Sequence, residues 1–310
     1  MERLSYIVTD EEQNIRIDKY LAGKDDRFSR SYLQKLLKEE QILVNDRSVK
    51  ANYKVQAEDT VALNVPSAEE PQILPEDIPL DILYEDDYLL VVNKPKGMVV
   101  HPAAGHNTGT LVNAVMYHCQ GNLSGINGIL RPGIVHRIDR DTTGALVVCK
   151  DDITHRGLAE QLKEHSIHRR YRAIVLGNLP LEEGTIEGPI GRHPVERKKM
   201  AVNHKNGKPA VTHYQVLERY GRYTYVECRL ETGRTHQIRV HMSSIGHPLL
   251  GDAVYGSGKS LFSLEGQVLH AECLGFIHPI YQEYMEFHAP LPSYFSQLLD
   301  KFRKQTGHLS

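Results

Sequence analysis

Four prolines within residues 66–79 (Pro66, Pro71, Pro75 and Pro79), interspersed with four acidic residues, constrain this chain more than any other feature. Proline fixes its own φ, donates no backbone hydrogen bond and pushes its predecessor toward extended geometry. Such a stretch cannot continue a helix or run through the middle of a sheet. It favours an extended, hydrated linker and divides the 310 residues into a small N-terminal part and a large C-terminal one. We place a first domain at residues 1–70 with its core at 13–66, an acidic Pro-rich linker at 71–80, and a second domain at 81–310.

Composition narrows the class. At 40 % hydrophobic and 25 % charged, the chain can bury a sizeable core. No apolar run approaches the ~18 residues that span a bilayer. The opening Met1-Glu2-Arg3-Leu4 lacks the pattern of a secretory signal. Cys119, Cys149, Cys228 and Cys273 are widely separated, with no CxxC pair for zinc or redox chemistry. A cytoplasmic protein, without membrane contact and acting as a monomer, is the expectation.

The net charge of -2 conceals segregation. Residues 58–87 hold ten acidic residues and no Lys or Arg; residues 16–54 hold ten basic against six acidic. Residues 192–208 hold six basic against one acidic. Binding a phosphate backbone needs local positive potential, not a high overall pI.

In the first domain Ser31 and Gln34 have capping-box spacing, and Tyr32, Leu33, Leu36 and Leu37 share one helical face. Ile42-Leu43-Val44 predicts a short strand, Asn45-Asp46 a turn, and residues 61–65 a second strand. Arg27, Arg30, Lys35 and Lys38 cluster at the helix start, where backbone N–H groups also favour phosphate.

In the second domain, residues 88–93, 145–149, 173–176 and 226–230 read as strands. Residues 110–118 form a helix, Thr154 caps another, and Arg234 begins a third that stops at Gly246. Short strands in no strict βαβ rhythm predict an α+β domain with a largely antiparallel mixed sheet flanked by helices and loops. Just before the run 145–149 stands His136-Arg137-Ile138-Asp139-Arg140-Asp141-Thr142-Thr143-Gly144. Here one carboxylate, Asp139, sits between two arginines. A carboxylate held among fixed cations stays ionised and can be aimed at an electrophile.

This stretch is one of a series. The others are Asn93-Lys94-Pro95 with Gly97, Val100-His101-Pro102, Arg170-Tyr171, and Gly207-Lys208-Pro209-Ala210 with Thr212-His213-Tyr214. Glu231-Thr232-Gly233-Arg234-Thr235-His236-Gln237-Ile238-Arg239 follows, then His247-Pro248-Leu249, Gly251-Asp252, Tyr255-Gly256, Leu269-His270-Ala271 and His278-Pro279. In these motifs residues 82–290 resemble the Rlu-type large-subunit ribosomal RNA pseudouridine synthases. Ile138 stands where leucine is commoner. The first domain resembles the S4 RNA-binding module, in Arg16-Ile17-Asp18-Lys19-Tyr20-Leu21, Ser29-Arg30-Ser31 and Val44-Asn45-Asp46. Among subfamilies the chain looks closest to the synthase acting on the helix 69 loop of 23S rRNA.

The resemblance implies conversion of the N1–C1′ link of a uridine into a C5–C1′ link. It implies no cofactor, because substrate and product are isomers. Asp139 would be the nucleophile, at either the ribose C1′ or the base C6. Tyr171 would stack on the uracil, and Arg234 would pair with Asp139 and orient it. His136, Arg137, Arg140, Thr142, Thr235, Gln237 and Arg239, which surround them in the two long motifs, are expected to bind substrate. Arg192, Lys198 and Lys199 would extend an RNA-backbone track begun by Arg27, Arg30, Lys35 and Lys38. The expected partner is 23S rRNA or a large-subunit precursor, with tRNA or another rRNA site as the alternative target.

Other readings fit less well. Gly258-Lys259-Ser260 ends like a P-loop, but Ala253 stands where Walker A spacing needs glycine. Seventeen histidines include no HExxH, and His236 and His241 lie five apart, so no metal site is expected. A glycoside hydrolase needs two catalytic carboxylates about 5–10 Å apart, and only Asp139 lies in a strong motif. An RNA-binding assembly factor without catalysis would not require the set Asp139, Tyr171 and Arg234.

Overall fold

The computed structural model describes residues 2–66, 73–102, 107–126, 128, 131–196, 199–256 and 261–307. It divides into two compact units, Met1–Pro71 and Gln72–Ser310. No helix among the described residues is long and apolar enough to cross a membrane.

The first unit runs β1 (Glu2–Ile7), α1 (Ile17–Lys24), α2 (Arg30–Lys38), β2 (Ile42–Val44), β3 (Arg47–Ser48) and β4 (Thr60–Val65). Its strands form an antiparallel sheet in the order β1-β4-β2-β3. Leu33, Leu36 and Leu37 of α2 bury with Ile17, Leu21, Ile42 and Leu63, so the apolar face read from the spacing is the packed one. The cap of α2 lies earlier than its spacing suggests. Ser29 is the N-cap and accepts the Tyr32 N–H at 3.3 Å. Gln34 instead donates to the fully buried Asp18 at 2.8 Å. Burial alone would raise the pKa of Asp18, but bonds from Gln34, Arg30 and Arg16 outweigh it and hold the carboxyl far below its usual range.

Residues 73–80 do not form the hydrated linker expected at 71–80. Ile73 is buried in the core of the second unit. The Glu76 N–H donates to the Asn113 carbonyl at 3.0 Å, and Asn113 Nδ2 donates to the Leu74 carbonyl at 2.8 Å. The prolines keep this strip extended, but its apolar side chain supplies surface worth burying.

The second unit contains β5 (Ile82–Glu85), β6 (Leu89–Lys94), α3 (Leu111–His118), β7 (Thr143–Cys149), α4 (Asp152–Lys163) and β8 (His168–Leu176). It continues with β9 (Glu183–Glu187), β10 (Ile190–Arg192), β11 (Met200–Val202), β12 (Val211–Arg219) and β13 (Tyr223–Leu230). It ends with α5 (Gln237–Ser244), β14 (Leu269–Ile277), β15 (Tyr284–His288) and α6 (Ser293–Thr306). Nine strands make one sheet in the order β5-β6-β7-β14-β8-β13-β12-β9, with β15 added beside β14, while β10 and β11 form a separate hairpin. Among the described residues only the β7–β14 pairing is parallel, so the sheet is mixed and largely antiparallel, as expected.

Both faces of the central strands are covered. Leu90, Val92, Leu146 and Val148 pack toward Leu111 and Val115 of α3, and Leu89, Val91 and Val147 toward Leu158 of α4. This explains the unbroken apolar runs 89–92 and 145–149. Each fully buried side chain of this kind contributes about 1.5–3 kcal/mol. Two elements begin elsewhere than read. α4 is capped by Asp151, which accepts from the Ile153 and Thr154 N–H groups at 2.8 and 2.9 Å, so Thr154 is not the cap. β8 starts at His168, which puts Tyr171 inside the strand and not before it.

Candidate active site

The site begins where the sheet parts. β7 and β14 pair only through Thr143 with His270 and Gly144 with Ala271. Gly144 has φ +114°, and a Cβ there would meet the Ala271 backbone, so glycine is required for this close approach. Beyond Ala271 a bulge redirects β14, which takes β15 as its neighbour. The edge of β7 left open is filled by residues 133–136. The Cys149 N–H donates to the Gly133 carbonyl at 2.8 Å, Ile134 bridges to Val148, and the Val147 N–H donates to His136 Nε2 at 3.1 Å. Accepting at Nε2 requires a neutral ring; burial, helped by the charge of Arg169, lowers the His136 pKa to about 3. His136 thus holds the loop that carries Asp139.

The far end of that loop is fixed by Lys94, which has no exposed surface. Its Nζ donates to the carbonyls of Pro95, Met98 and Arg140 at 2.8, 2.8 and 2.9 Å. Burial lowers its pKa to about 7, against the pull of Asp141 and Asp139, yet three carbonyl acceptors suit the three hydrogens of an ammonium. The Gly97 N–H also donates to the Arg140 carbonyl at 3.0 Å, and the Thr142 N–H to that of Asp139 at 3.1 Å. This gives the Asn93-Lys94-Pro95-x-Gly97 motif a physical task.

Asp139 Oδ2 accepts from Arg239 Nη1 at 2.8 Å. The expected partner was Arg234, and that pairing is corrected. Arg234 lies before α5 and donates its Nε to the Pro209 carbonyl at 3.0 Å. Arg239, one turn into α5, also grips the fully buried Asp252 through Nε at 2.7 Å and Nη2 at 3.0 Å. Burial opposes its charge, but the bonds and charges of Asp252 and Asp139 win and raise its pKa. Arg239 was assigned to substrate; it is instead the fixed cation behind the carboxylate. The switch arises at His236, whose φ of +57° makes a left-handed turn at the helix N-cap.

His236 completes the surroundings of Asp139. The Met200 N–H donates to the Tyr255 hydroxyl oxygen at 2.9 Å, and that hydroxyl lies 2.8 Å from His236 Nδ1. The other ring nitrogen, Nε2, lies 3.7 Å from Asp139 Oδ1. Burial lowers the His236 pKa despite the charge of Asp139. The Asp139 side chain is 17 % exposed, bonded on one oxygen and open toward a cavity of about 330 Å³. That volume suits a small-ligand site.

Tyr171 lines the cavity with Asp139 and, with them, Leu230, Leu269, His236 and Arg169. Burial raises the Tyr171 hydroxyl pKa against the charge of Arg169, with a smaller push upward from Asp139. Arg137 and Arg234 also line it; Arg137 is exposed and makes no ion pair among the described residues. Arg140 does not line it and pairs with its neighbour Asp141 at 3.0 Å. Thr142 is buried and accepts from Gln267 Nε2 at 3.1 Å. Gln237 serves α5: its Oε1 accepts from Thr232 and from the Arg234 N–H, and its Nε2 donates to the Val211 carbonyl. Thr235 is exposed and outside the cavity lining.

The cations expected to track RNA are largely engaged. Arg27 pairs with Asp25 and Glu2, Arg30 with Asp18, Lys35 with Glu39 at 3.7 Å, and Lys199 with Glu196. Lys38 is exposed without an ion pair among the described residues, and Arg192 is exposed at the end of β10. Lys198 and residues 258–260 lie outside the described residues. Cys273, Glu286 and His288 bring possible ligand atoms within 4.8 Å of one another, away from the cavity lining. There Glu286 pairs with Arg170, and the His288 ring nitrogens lie 2.9 Å from Glu272 and 3.0 Å from Glu286.

Sequence reasoning missed Arg169, His236 and Tyr255 as lining or supporting residues, although His236 and Tyr255 stand in quoted motifs. Arg169 was readable only through strand alternation with Tyr171. The arrangement offers an oriented carboxylate beside a buried phenol and an excess of arginines. That is suited to attack on an electrophilic carbon of an anionic polymer.

Comparison with known proteins agrees. Residues 88–244 match the RNA pseudouridylate synthase family. The chain is 52 % identical over 304 residues to the uncharacterized RNA pseudouridine synthase YlyB of Bacillus subtilis, covering 98 % of this chain and 99 % of that one. It is 49 % identical over 299 residues to the ribosomal large subunit pseudouridine synthase D of Zymomonas mobilis, covering 92 % and 93 %. Among solved structures, human RNA pseudouridylate synthase domain containing 1 superposes with a TM-score of 0.56 at 28 % identity, over 74 % of this chain and 96 % of that one. With its mixed sheet, its cavity and these likenesses, this chain belongs to the RNA pseudouridine synthase family of isomerases.

Proposed function

We propose that this chain isomerises uridine to pseudouridine in 23S rRNA, in the helix 69 loop, with Asp139 as the nucleophile. The observation carrying the reading is that Asp139 is gripped on one oxygen by Arg239, itself locked by Asp252, while facing a cavity lined by Tyr171. A carboxylate so fixed stays ionised and is aimed without further reorganisation. The name of the Zymomonas mobilis relative favours the large ribosomal subunit over tRNA.

A uridine must leave its stack to enter the cavity, at a cost of a few kcal/mol that an RNA loop lowers. Asp139 then attacks C1′ or C6. Tyr171 packs on the displaced base, and Arg137 and Arg234 meet its phosphates at the rim. Residues 1–70 act as an S4-like RNA-binding module through Lys38 and its neighbours, in a cytoplasmic, monomeric enzyme that needs no cofactor.

The purified chain should release tritium from C5-labelled uridine in 23S rRNA transcripts without additives, and Asp139→Asn should release none. Tritium release by the asparagine variant would remove Asp139 as nucleophile. Mapping carbodiimide-retarded reverse-transcription stops in rRNA from cells lacking the protein would name the target. Stops that persist unchanged in helix 69 would exclude that site.

A further inference from the structure

We propose that Arg169 is a catalytic residue, whose guanidinium binds the carbonyl oxygens of the uracil and receives the negative charge that develops on the ring. The inference rests on the reading of Asp139 given above.

Arg169 sits on β8 two residues before Tyr171, so both side chains leave the strand on one face and line the cavity. It is 8 % exposed. Its Nη2 donates to the Glu231 carbonyl at 2.9 Å, its Nε is buried with no partner, and no carboxylate pairs with it among the described residues. Burial lowers its pKa, and Arg234 nearby adds repulsion. Gly233 gives way to it: a Cβ there would lie 2.5 Å from Nη1. A buried cation with an idle donor and no counter-ion costs stability. Here it is retained in the lining of the cavity that Asp139 also lines.

The reaction supplies the missing anion. If Asp139 attacks C1′, its oxygen bonds to C1′ as the N1–C1′ bond breaks, and the electron pair passes to N1, O2 and O4 of the departing uracil. If it attacks C6, the oxygen bonds to C6 and the pair of the C5–C6 double bond moves toward C5 and O4. Either way the ring carries negative charge before C5 bonds to C1′: on the first route C5 displaces Asp139 from C1′ and the C5 proton then leaves, and on the second the N1–C1′ bond breaks, C5 bonds to C1′, and loss of the C5 proton expels Asp139 from C6. Fixed donors aimed at such charge in a dry site are worth about 10²–10³ in rate each. A phosphate is the other anion available, but Arg169 is buried in the cavity lining, where a base can reach it, and exposed Arg137 is better placed for phosphate.

The test uses the full chain under single-turnover conditions at saturating rRNA fragment, following loss of the starting nucleoside. Two substrates are compared, with uridine or with 5-fluorouridine, whose fluorine stabilises a ring anion by itself. Arg169→Met should slow uridine loss about 10²-fold, and the defect should shrink about tenfold on fluorouridine. Its melting temperature should equal or exceed the parent's, since an uncompensated charge is removed; a purely structural arginine would give a decrease. RNA affinity and its salt slope should stay unchanged, whereas a lost phosphate contact would flatten the slope by about 0.7. Arg169→Lys should fall between the two, and it carries the substrate comparison if the methionine variant does not fold. Rates within about twofold of the parent, equal defects on both substrates, or a flattened salt slope would each overturn the proposal. Asp139→Asn is measured alongside: full activity there would defeat the nucleophile reading itself, whereas an inactive asparagine variant beside an unaffected Arg169→Met would defeat only the role of Arg169.

Discussion

Arg239 touches three things at once: Asp139, Asp252 and the face of Tyr255, 5.1 Å from the ring centre. A planar fork can do this, and a lysine cannot. Arg239→Lys should therefore lower turnover about 10²-fold or more, with uridine-RNA affinity less affected. Arg239→Met, which strands two carboxylates, should destabilise by about 3–5 kcal/mol in urea unfolding. Arg234→Met loses one carbonyl contact and should cost well under half of that. If the two methionine variants were equally unstable, the locked pair would not be the central contact. Asp139 and Tyr171 were legible because short motifs name them. The choice between two arginines five residues apart was not legible, because the left-handed turn at His236 decides which of them faces back. Arg169 had a readable signal in strand alternation, lost by starting that strand at residue 173.

At the scale of elements, apolar runs announced β6 and β7, and the helix read from Arg234 to Gly246 is α5, which begins three residues later at Gln237. What the runs could not announce was the partner of β7, since Thr143 and His270 are 127 residues apart. The join is tight. Gly144→Ala would push against the Ala271 backbone at a φ that side chains avoid. It should cost about 3 kcal/mol, read as a lower urea midpoint, and the β7 amides of Val147 and Cys149, which donate to the loop bearing Asp139, should lose protection. Unchanged protection would mean that the loop does not depend on that crossing.

The chain forms two compact units, Met1–Pro71 and Gln72–Ser310, and the strip at 73–80 follows packing and not composition. A fragment beginning at residue 73 should outlast one beginning at 81, which loses buried Ile73 and the bonds to Asn113, by about 2–4 kcal/mol in urea. Equal midpoints would return the strip to the status of a linker. Acid should also act on the large unit. Burial, with Arg131 and Arg137 adding to it, lowers the pKa of His101 to about 4, as burial and Arg169 lower His136 to about 3. Each therefore binds its proton more weakly folded than unfolded. Their contribution is complete above about pH 6.5 and declines as pH falls toward 4, by no more than about 1.4 kcal/mol per unit for each ring. Urea midpoints that stay level between about pH 7 and about pH 5 would contradict this.

The segment bearing Asp139 lies along β7 as a stand-in for the strand that has turned away, tied down at Gly133, Ile134 and His136 and clamped again by Lys94. A group moored at both ends has little freedom to travel to its target. The journey must then be made by the nucleic acid, and how fast a given transcript is modified will depend on how readily its own backbone lets one nucleoside go.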